Sequence, residues 1–164
     1  FWRVVGEHIG MDEALDIMLS ETYPSFAALL KNGMTTLWEG FEYFEGDMAH
    51  VPAEIPQGFW SFDHHFWGDI SAFWYRYLAG IRIDGPGRVE FAPMFSERVK
   101  NVCAEHVFAE GTLRVEIDRD GNSAHCRISV PRGISVRVSS PRGWASDAAE
   151  LVCGENEVVF SKLG

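Results

Sequence analysis

The sequence predicts a helical segment followed by an antiparallel β domain, because the spacing of its apolar residues changes once along the chain. Up to about residue 79, apolar side chains recur at the three- and four-residue spacing of amphipathic helices. Residues 80–87 contain three glycines and a proline, which predicts a hinge. Beyond the hinge, apolar and polar residues alternate, as in strands with one solvated face. We therefore expect two domains, residues 1–83 and 84–164.

Three helices are predicted in the first domain. Asp12 is expected to cap the first, Ser25 the second over Phe26 to Lys31, and Gly33 is expected to end the second in a left-handed conformation. The third runs from Phe66 to Ala79, and residues 45–65 are predicted to form a long loop. Three helices make a poor independent core, so we expect them to end a larger helical domain.

The second domain is predicted from a repeated alternation. Residues 113–118 and 124–130 alternate on either side of a turn at 120–122, which indicates a hairpin. Residues 134–138 repeat the pattern, and residues 158–160 are expected to add a last strand.

Composition and charge exclude several functions. The net charge of −10 argues against a nucleic-acid partner, which requires a surplus of Lys and Arg. The chain has no run of 18 apolar residues, so no membrane-spanning helix is expected. An acidic surface is compatible with neutral, polyhydroxylated ligands. Since the chain opens with Phe1-Trp2-Arg3 and shows no signal peptide, we read it as a segment of a longer chain, and its compartment is not indicated.

The cysteines do not predict a metal or redox site. Cys103, Cys126 and Cys153 are far apart and form no CxxC pair. We expect all three to be buried free thiols of a reducing compartment, with Cys126 on the apolar face of its strand. No cofactor and no bound metal are expected.

Glu39 is the first candidate for chemistry. It follows Leu37 and Trp38 directly, and a carboxylate beside an indole is partly desolvated. Desolvation raises a carboxyl pKa and suits acid or base work near neutral pH. The alternative is a solvated glutamate at a helix start. Glu42 and Glu45 fit an exposed acidic stripe better than a second catalytic group.

Aromatic residues and histidines form the second candidate. His64 and His65 lie between aromatic residues and can bind ligand hydroxyls, because imidazole both donates and accepts hydrogen bonds. Packing of one ring is the alternative, and a metal site lacks a third ligand at a recognisable spacing. Trp38, Trp60 and Trp67 are candidates for stacking on a sugar, although tryptophan more often fills cores.

Four blocks in order give the sequence a specific resemblance. They read ETYPSF from Glu21, NGMTTLWE from Asn32, SFDHHFWG from Ser61 and WYRYLAGI from Trp74. This succession resembles the C-terminal part of bacterial α-L-rhamnosidases of glycoside hydrolase family 78. The strands around Val130-Pro131 and 134–138 are similar to the terminal β domain of that family.

The resemblance implies the last helices of an (α/α)6 barrel, a six-hairpin glycosidase, followed by a small antiparallel β-sandwich. It implies inverting hydrolysis of terminal α-L-rhamnosyl residues from a glycoside or oligosaccharide. Glu39 matches the general base, His64 a sugar-contacting histidine, and Trp38 would line the pocket. The general acid would lie upstream of Phe1, so this chain would hold half a site and be inactive without the N-terminal part of its own chain. Asp63 replaces the usual Asn, which implies an altered substrate preference.

Two alternatives remain at this point. Another (α/α)6 hydrolase with a different sugar would share the helical pattern, because a fold does not fix the substrate. A non-catalytic carbohydrate-binding or structural module would bind or pack without hydrolysis.

Overall fold

The computed structural model of the chain describes residues 1–22, 24–31, 33–37 and 63–164. It divides into two compact units, Phe1–Ser71, here called the helical unit, and Ala72–Gly164, the β unit. Helices precede sheets along the chain, so the predicted fold class is confirmed. Most of the predicted loop at residues 45–65 lies outside the described residues.

The described helices of the helical unit are short and bury one face each. They are α1 (Trp2–His8), α2 (Met11–Leu19), α3 (Phe26–Lys31), a 3₁₀ helix (His65–Gly68) and the start of α4 (Asp69–Phe73). The side chains that they bury include Trp2, Val5, Met11, Ala14, Leu15, Met18, Ala28 and Leu29. Among the described residues, no helix is long and apolar enough to cross a membrane.

The ends of α2 and α3 test the capping predictions. The prediction for Asp12 is wrong: Gly10 is the N-cap of α2, and Asp12 lies in the first turn, where its charge favours the helix dipole. The prediction for Ser25 is confirmed, since its Oγ accepts a hydrogen bond from the backbone N–H of Ala28 at 3.0 Å. Gly33 has φ +87° after α3, and Met34 donates to the carbonyl of Leu29 at 3.0 Å. This arrangement satisfies carbonyls at the helix end, as predicted.

An aromatic cluster joins the two ends of the helical unit. The ring of Trp2 lies 5.6 Å from that of Phe26, and Phe26 meets Trp67 edge-on at 5.9 Å. The ring centroids of Phe1 and Trp2 are 4.9 Å apart. Aromatic pairs at these separations stabilise beyond the area that they bury. The cluster therefore fixes the 3₁₀ helix that carries Trp67 against α1 and α3.

The predicted third helix is helical but not of one type. The 3₁₀ turn leads into α4, and residues Trp74–Leu78 of the β unit continue as a π-helical segment. The N–H of Ala79 bonds to the carbonyl of Trp74 at 3.0 Å, which widens the helix. Phe73 and Tyr77 are fully buried, as the predicted apolar face requires.

The segment predicted as a hinge is a hairpin instead. Strands β1 (Ile81–Gly85) and β2 (Arg88–Phe91) pair antiparallel across it. Gly87 has φ +66°, so the breaker residues serve a tight turn and not a flexible linker. The predicted domain boundary at residues 83 and 84 falls within β1 and stays a prediction.

Seven further strands complete the β unit. They are β3 (Asn101–Phe108), β4 (Gly111–Asp120), β5 (Ser123–Val130), β6 (Ser135–Val138), β7 (Trp144–Ser146), β8 (Glu150–Leu151) and β9 (Gly154–Lys162). One sheet has the order β1-β2-β6-β8 and the other β3-β4-β5-β9-β7. The predicted hairpin is β4–β5, with Ile117 opposite Cys126. One pair, β2–β6, is parallel, so the predicted antiparallel pattern holds for the other pairs.

The core of the β unit consists of alternate side chains from both sheets. Val115, Ile128 and Val158 of the larger sheet are fully buried, as are Phe91 of the smaller sheet and Phe160. The side chains between them in the sequence are largely exposed, which is the alternation that the sequence predicts. A two-sheet arrangement with one shared core is a β-sandwich.

The cysteine prediction is confirmed for one residue and wrong for two. Cys126 is buried, and burial, followed by the charges of Asp118 and Asp147, raises the pKa of its thiol to about 12. All three cysteines are free, but Cys103 and Cys153 are exposed.

A carboxylate network ties β1, β2 and β6 together. Glu90 accepts hydrogen bonds from the Ser139 hydroxyl at 2.7 Å and from Arg137 at 3.3 Å, and Arg82 lies 3.6 Å away. The Glu90 side chain is only 18% exposed. The hydroxyl of Ser139 and then the two arginines hold the pKa of this carboxyl below its usual value. Arg82 also donates to the carbonyl of Arg76 at 3.2 Å.

We predict that Glu90→Gln destabilises the protein by about 1–2 kcal/mol at pH 7, since charge-assisted bonds in a half-buried site are lost. The folded pKa of Glu90 is lowered, so its contribution is present above the unfolded pKa of about 4.3 and is lost as pH falls through the folded value. Urea unfolding at several pH values measures this. Glu110→Gln, at an exposed turn, is the matched control. A gap between wild type and Glu90→Gln that does not narrow in acid would contradict the prediction.

We predict that Trp67→Ala lowers the free energy of unfolding of the helical unit by about 2 kcal/mol. This is below the roughly 3–5 kcal/mol of a fully buried aromatic residue, because Trp67 is half-buried. Trp67→Phe should recover most of the loss by keeping a ring against Phe26. Urea unfolding followed by far-UV circular dichroism is the measurement. Unchanged stability in Trp67→Ala would show that Trp67 does not have a packing role.

Candidate functional site

The structure describes only part of the predicted site. Trp38, Glu39 and Trp60 lie outside the described residues, and their roles stay predictions. His64, His65 and Trp67 are described, at and just before the 3₁₀ helix. The site can therefore be built from the segments that flank the predicted base, not from the base itself.

A backbone hydrogen bond brings the two flanking segments together. The N–H of His64 donates to the carbonyl of Leu37 at 2.6 Å. Leu37 is half-buried. Three residues before it, Met34 is buried, and its N–H bonds to the carbonyl of Leu29 in α3. Leu37 directly precedes Trp38 and Glu39 in the sequence. Leu37 of the block NGMTTLWE and His64 of the block SFDHHFWG are thus in contact.

The two histidines stack on each other. Their ring centroids are 5.3 Å apart and their planes differ by 24°. His64 is half-buried in an extended conformation, whereas His65 is exposed and begins the 3₁₀ helix. Adjacent side chains in an extended segment point to opposite sides, whereas the turn into the 3₁₀ helix brings these two rings together. A half-buried imidazole can exchange hydrogen bonds with a ligand hydroxyl.

Trp67 has a packing contact in this structure. It faces Phe26 edge-on, within the aromatic cluster, and is half-buried. Asp69, the first residue of α4 directly after this 3₁₀ helix, forms an ion pair with Arg3 of α1, 2.5 Å apart. Sequence reasoning did not identify Phe26 or Arg3 as supports of the site. Phe26 could have been noticed, since it closes the ETYPSF block; a long-range ion pair leaves no local signal.

No metal centre is formed by the part of the chain that the structure describes. Within those residues, no three His, Cys, Asp or Glu side chains come together as ligands. The described residues at this position offer imidazole hydrogen bonds beside an apolar, aromatic support.

Two concave surfaces of the β unit contain none of the predicted site residues. One, of about 640 Å³, lies between the π-helical segment and β3 and is lined by residues such as Trp74, Tyr75 and Leu78. The other, of about 390 Å³, lies on the exposed face of the larger sheet. There Arg114 and Arg127 both bind Glu116, and Arg114 also binds Glu105. These charged groups satisfy one another, and Arg114 and then Arg127 lower the pKa of Glu116.

The comparisons with known proteins agree on one family. A family model for the bacterial alpha-L-rhamnosidase 6 hairpin glycosidase domain matches residues 1–78. An alpha-L-rhamnosidase of Alteromonas sp. (strain LOR) is 24% identical over 140 residues, which are 84% of this chain and 15% of that protein.

Two solved structures share the fold. The alpha-L-rhamnosidase from Dictyoglumus thermophilum superimposes with a TM-score of 0.75 at 22% identity, over 98% of this chain and 20% of that one. The Streptomyces avermitilis alpha-L-rhamnosidase, solved in complex with L-rhamnose, gives a TM-score of 0.69 at 18% identity, over 98% of this chain and 16% of that one.

This chain thus spans between 15% and 20% of the length of these relatives. The resemblance noted in the sequence is confirmed, and its four blocks lie within or at the end of the matched segment. Over residues 1–78, this chain is similar to the bacterial alpha-L-rhamnosidase 6 hairpin glycosidase domain.

Proposed function

We propose that this chain supplies the C-terminal part of the catalytic domain of an inverting α-L-rhamnosidase, together with the β domain that follows it. The structural observation that carries the proposal is the hydrogen bond between Leu37 and His64. It holds the residue that precedes Trp38 and Glu39 against the histidine that matches the sugar-contacting position of the family. The similarity of residues 1–78 to a glycosidase domain supports the same proposal.

Glu39 is the general base of the proposed reaction. Its carboxylate takes a proton from water while the water oxygen attacks the anomeric carbon and the bond to the leaving oxygen breaks. A carboxylic acid on the other side of the sugar gives its proton to that leaving oxygen. In inverting enzymes the two carboxyl groups stand about 6.5–9.5 Å apart, which leaves room for the water.

The general acid is assigned to residues outside this chain. Among the described residues close to His64 in the sequence, the carboxylates are Asp63 and Asp69, and Asp69 is held in an ion pair with Arg3. The resemblance to the family places the general acid upstream of residue 1. The proposal therefore needs an upstream part of a longer chain, and the 164 residues alone should not turn over substrate.

The exposed apolar surface of the helical unit supports the proposal that the unit is part of a larger helical domain. Large apolar side chains on its helices remain exposed, among them Val4 at 60%, Ile9 at 68% and Leu30 at 62%. Exposed apolar surface of this kind marks faces that another element covers. Further helical hairpins of the same domain are the proposed cover.

The proposed substrate is a terminal α-L-rhamnosyl residue of a glycoside or oligosaccharide. The similar Streptomyces avermitilis enzyme was solved with L-rhamnose, which supports this sugar. His64 would bind sugar hydroxyls, and Trp38, Trp60 and Trp67 would offer apolar surface to the ring carbons. Asp63, exposed and next to His64, would favour hydroxyl donors at the position where the family usually has an amide.

The test is hydrolysis of an aryl α-L-rhamnoside by the full-length protein that contains these residues. We predict that Glu39→Gln lowers the rate by about 10²–10⁴, the range for a positioned general base. This corresponds to roughly 3–5 kcal/mol of barrier. Glu42→Gln, three positions further on, is the matched control and should keep nearly full activity.

Three other results would each have a distinct meaning. Full activity in Glu39→Gln would remove Glu39 as the base. Activity on another aryl glycoside, and none on the rhamnoside, would indicate a different sugar on the same helical fold. Binding of L-rhamnose without hydrolysis by the full-length protein would indicate a non-catalytic carbohydrate-binding module.

A further inference from the structure

The larger concave surface of the β unit follows the free edge of a sheet. β3 is the outermost strand of the five-stranded sheet, so one of its sides has no neighbouring strand among the described residues. Side chains of both orientations along β3 line the surface: Val102 and Ala104 are half-buried, and Cys103 and Glu105 are exposed. Successive side chains of a strand point to opposite faces, so a surface that touches both kinds runs along the edge between them.

A tyrosine blocks this edge against a further strand. The hydroxyl of Tyr75, in the π-helical segment, donates to the backbone carbonyl of Glu105 at 3.1 Å. The Tyr75 ring also lies edge-on to His106, with ring centroids 6.5 Å apart. An added strand would need the carbonyl groups of this edge for its own hydrogen bonds. The occupant of the groove beside the edge, about 640 Å³ in volume, is therefore not a paired β-strand.

Aromatic side chains form one wall of this groove. Trp74 is half-buried, Tyr75 is 42% exposed, and Leu78 follows on the same segment. Aromatic rings present flat apolar faces, which suit the C–H side of a sugar ring. The volume falls within the range of about 300–1,000 Å³ that is typical of small-molecule sites.

Arg114 supplies hydrogen-bond donors on the other wall. Its guanidinium donates from Nη1 to Glu105, and from Nη2 at 2.7 Å and Nε at 3.0 Å to Glu116. An arginine has five N–H groups, so two remain without a partner among the described residues. A fixed fork of donors beside carboxylate acceptors matches neighbouring sugar hydroxyls, each of which donates and accepts.

The groove continues onto the outer face of the larger sheet. Glu105 and Arg114 line both this groove and the second concave surface, which has a volume of about 390 Å³. The other charged side chains of the second surface are Glu116, Arg127 and Glu155. Three carboxylates thus face two arginines, and this excess of negative charge disfavours an anionic ligand. Two connected surfaces suit a neutral ligand longer than one sugar.

We propose that this groove, defined by Trp74, Tyr75, Glu105 and Arg114, is a carbohydrate site of the β unit that binds a neutral oligosaccharide containing rhamnose. The choice of sugar rests on the proposed function. The apolar lining supports it, because rhamnose is a 6-deoxy sugar with a methyl group at C6. The β unit then holds part of the sugar chain itself.

Cys103 is a local reporter for the test. It is exposed, free and part of the groove, whereas Cys153 is exposed and free but lines neither concave surface. The experiment follows alkylation of both thiols by iodoacetamide in the full-length protein, read by peptide mass spectrometry, with and without a trisaccharide of α-linked L-rhamnose. The Glu39→Gln background keeps the trisaccharide intact. We predict that trisaccharide at about ten times its Kd slows alkylation of Cys103 about tenfold, since only the free groove reacts, and leaves Cys153 unchanged.

Variants of the groove tie the protection to its walls. Arg114→Ala should raise the trisaccharide concentration for half protection about fivefold to tenfold, the effect of one net hydrogen bond. The fold should persist, because the Arg114 side chain is 46% exposed and such ion pairs contribute little. Tyr75→Ala should weaken protection by a similar factor, and Tyr75→Phe, which keeps the ring, should stay within about twofold. Arg142→Ala, at an exposed arginine outside both surfaces, is the matched control.

Three results would each overturn the inference. Alkylation of Cys103 at the same rate with and without the trisaccharide would show an empty groove. Protection that Arg114→Ala and Tyr75→Ala leave unchanged would place the ligand elsewhere. A Cys103 that is unreactive before any sugar is added, while Cys153 reacts, would show that another part of the full-length chain covers the groove.

A failure of the proposed function gives a different pattern. Wild-type protein that does not hydrolyse an aryl α-L-rhamnoside, with the protection of Cys103 intact, would contradict the proposed function and leave this inference standing. Normal hydrolysis with an unprotected Cys103 would do the reverse.

Discussion

One backbone hydrogen bond, from His64 to Leu37, joins two segments that are distant in sequence, and the candidate site depends on it. A contact between residues far apart in the sequence costs conformational entropy that one hydrogen bond does not offset alone. Both ends are therefore held independently. Met34 is bonded to the end of α3, and the 3₁₀ helix is packed through Trp67. The bond forms because both partners are already in place.

The β unit is subject to a different constraint: the apolar inner faces of its two sheets must be buried. Each sheet supplies half of a shared core, and the charged side chains of the larger sheet pair on its outer face. Arg119 is an exception, since its side chain is only 4% exposed. It donates to the carbonyl of Ser96 at 2.6 Å, binds Glu97 and lies 5.5 Å from the ring centre of Trp144. A charge that is paired and stacked in this way can be buried, and it fixes the segment around Ser96.

What the sequence predicts correctly follows from local periodicity. The alternation around Val115 and Ile128 can be read directly, because one buried face imposes a two-residue period on each strand. The glycines and proline at 80–87 were misread, since the same residues suit a hinge and a tight turn, and pairing of β1 with β2 decides between them. The parallel β2–β6 pair could not be predicted, because it joins strands that are not adjacent in the sequence.

In the candidate site, too, contacts between residues that are distant in sequence could not be predicted from local patterns. Four sequence blocks were enough to indicate the family, but the contact between His64 and Leu37 and the stacking of His65 are long-range or rotameric properties. The burial of Cys103 was predicted wrongly for a related reason. A strand with one exposed and one half-buried face does not reveal from its own sequence which face holds the small residue.

The support of the site comes from apolar contacts more than from charge. Arg3 and Asp69 are each about half exposed, and ion pairs in that setting contribute little to stability and weaken with salt. The aromatic contact between Trp67 and Phe26 does not depend on ionic strength. A polar site on a short, irregular segment thus takes its geometry from the apolar core beside it. This is why the residues that fix the site lie in α1 and α3, outside the segments that carry its chemistry.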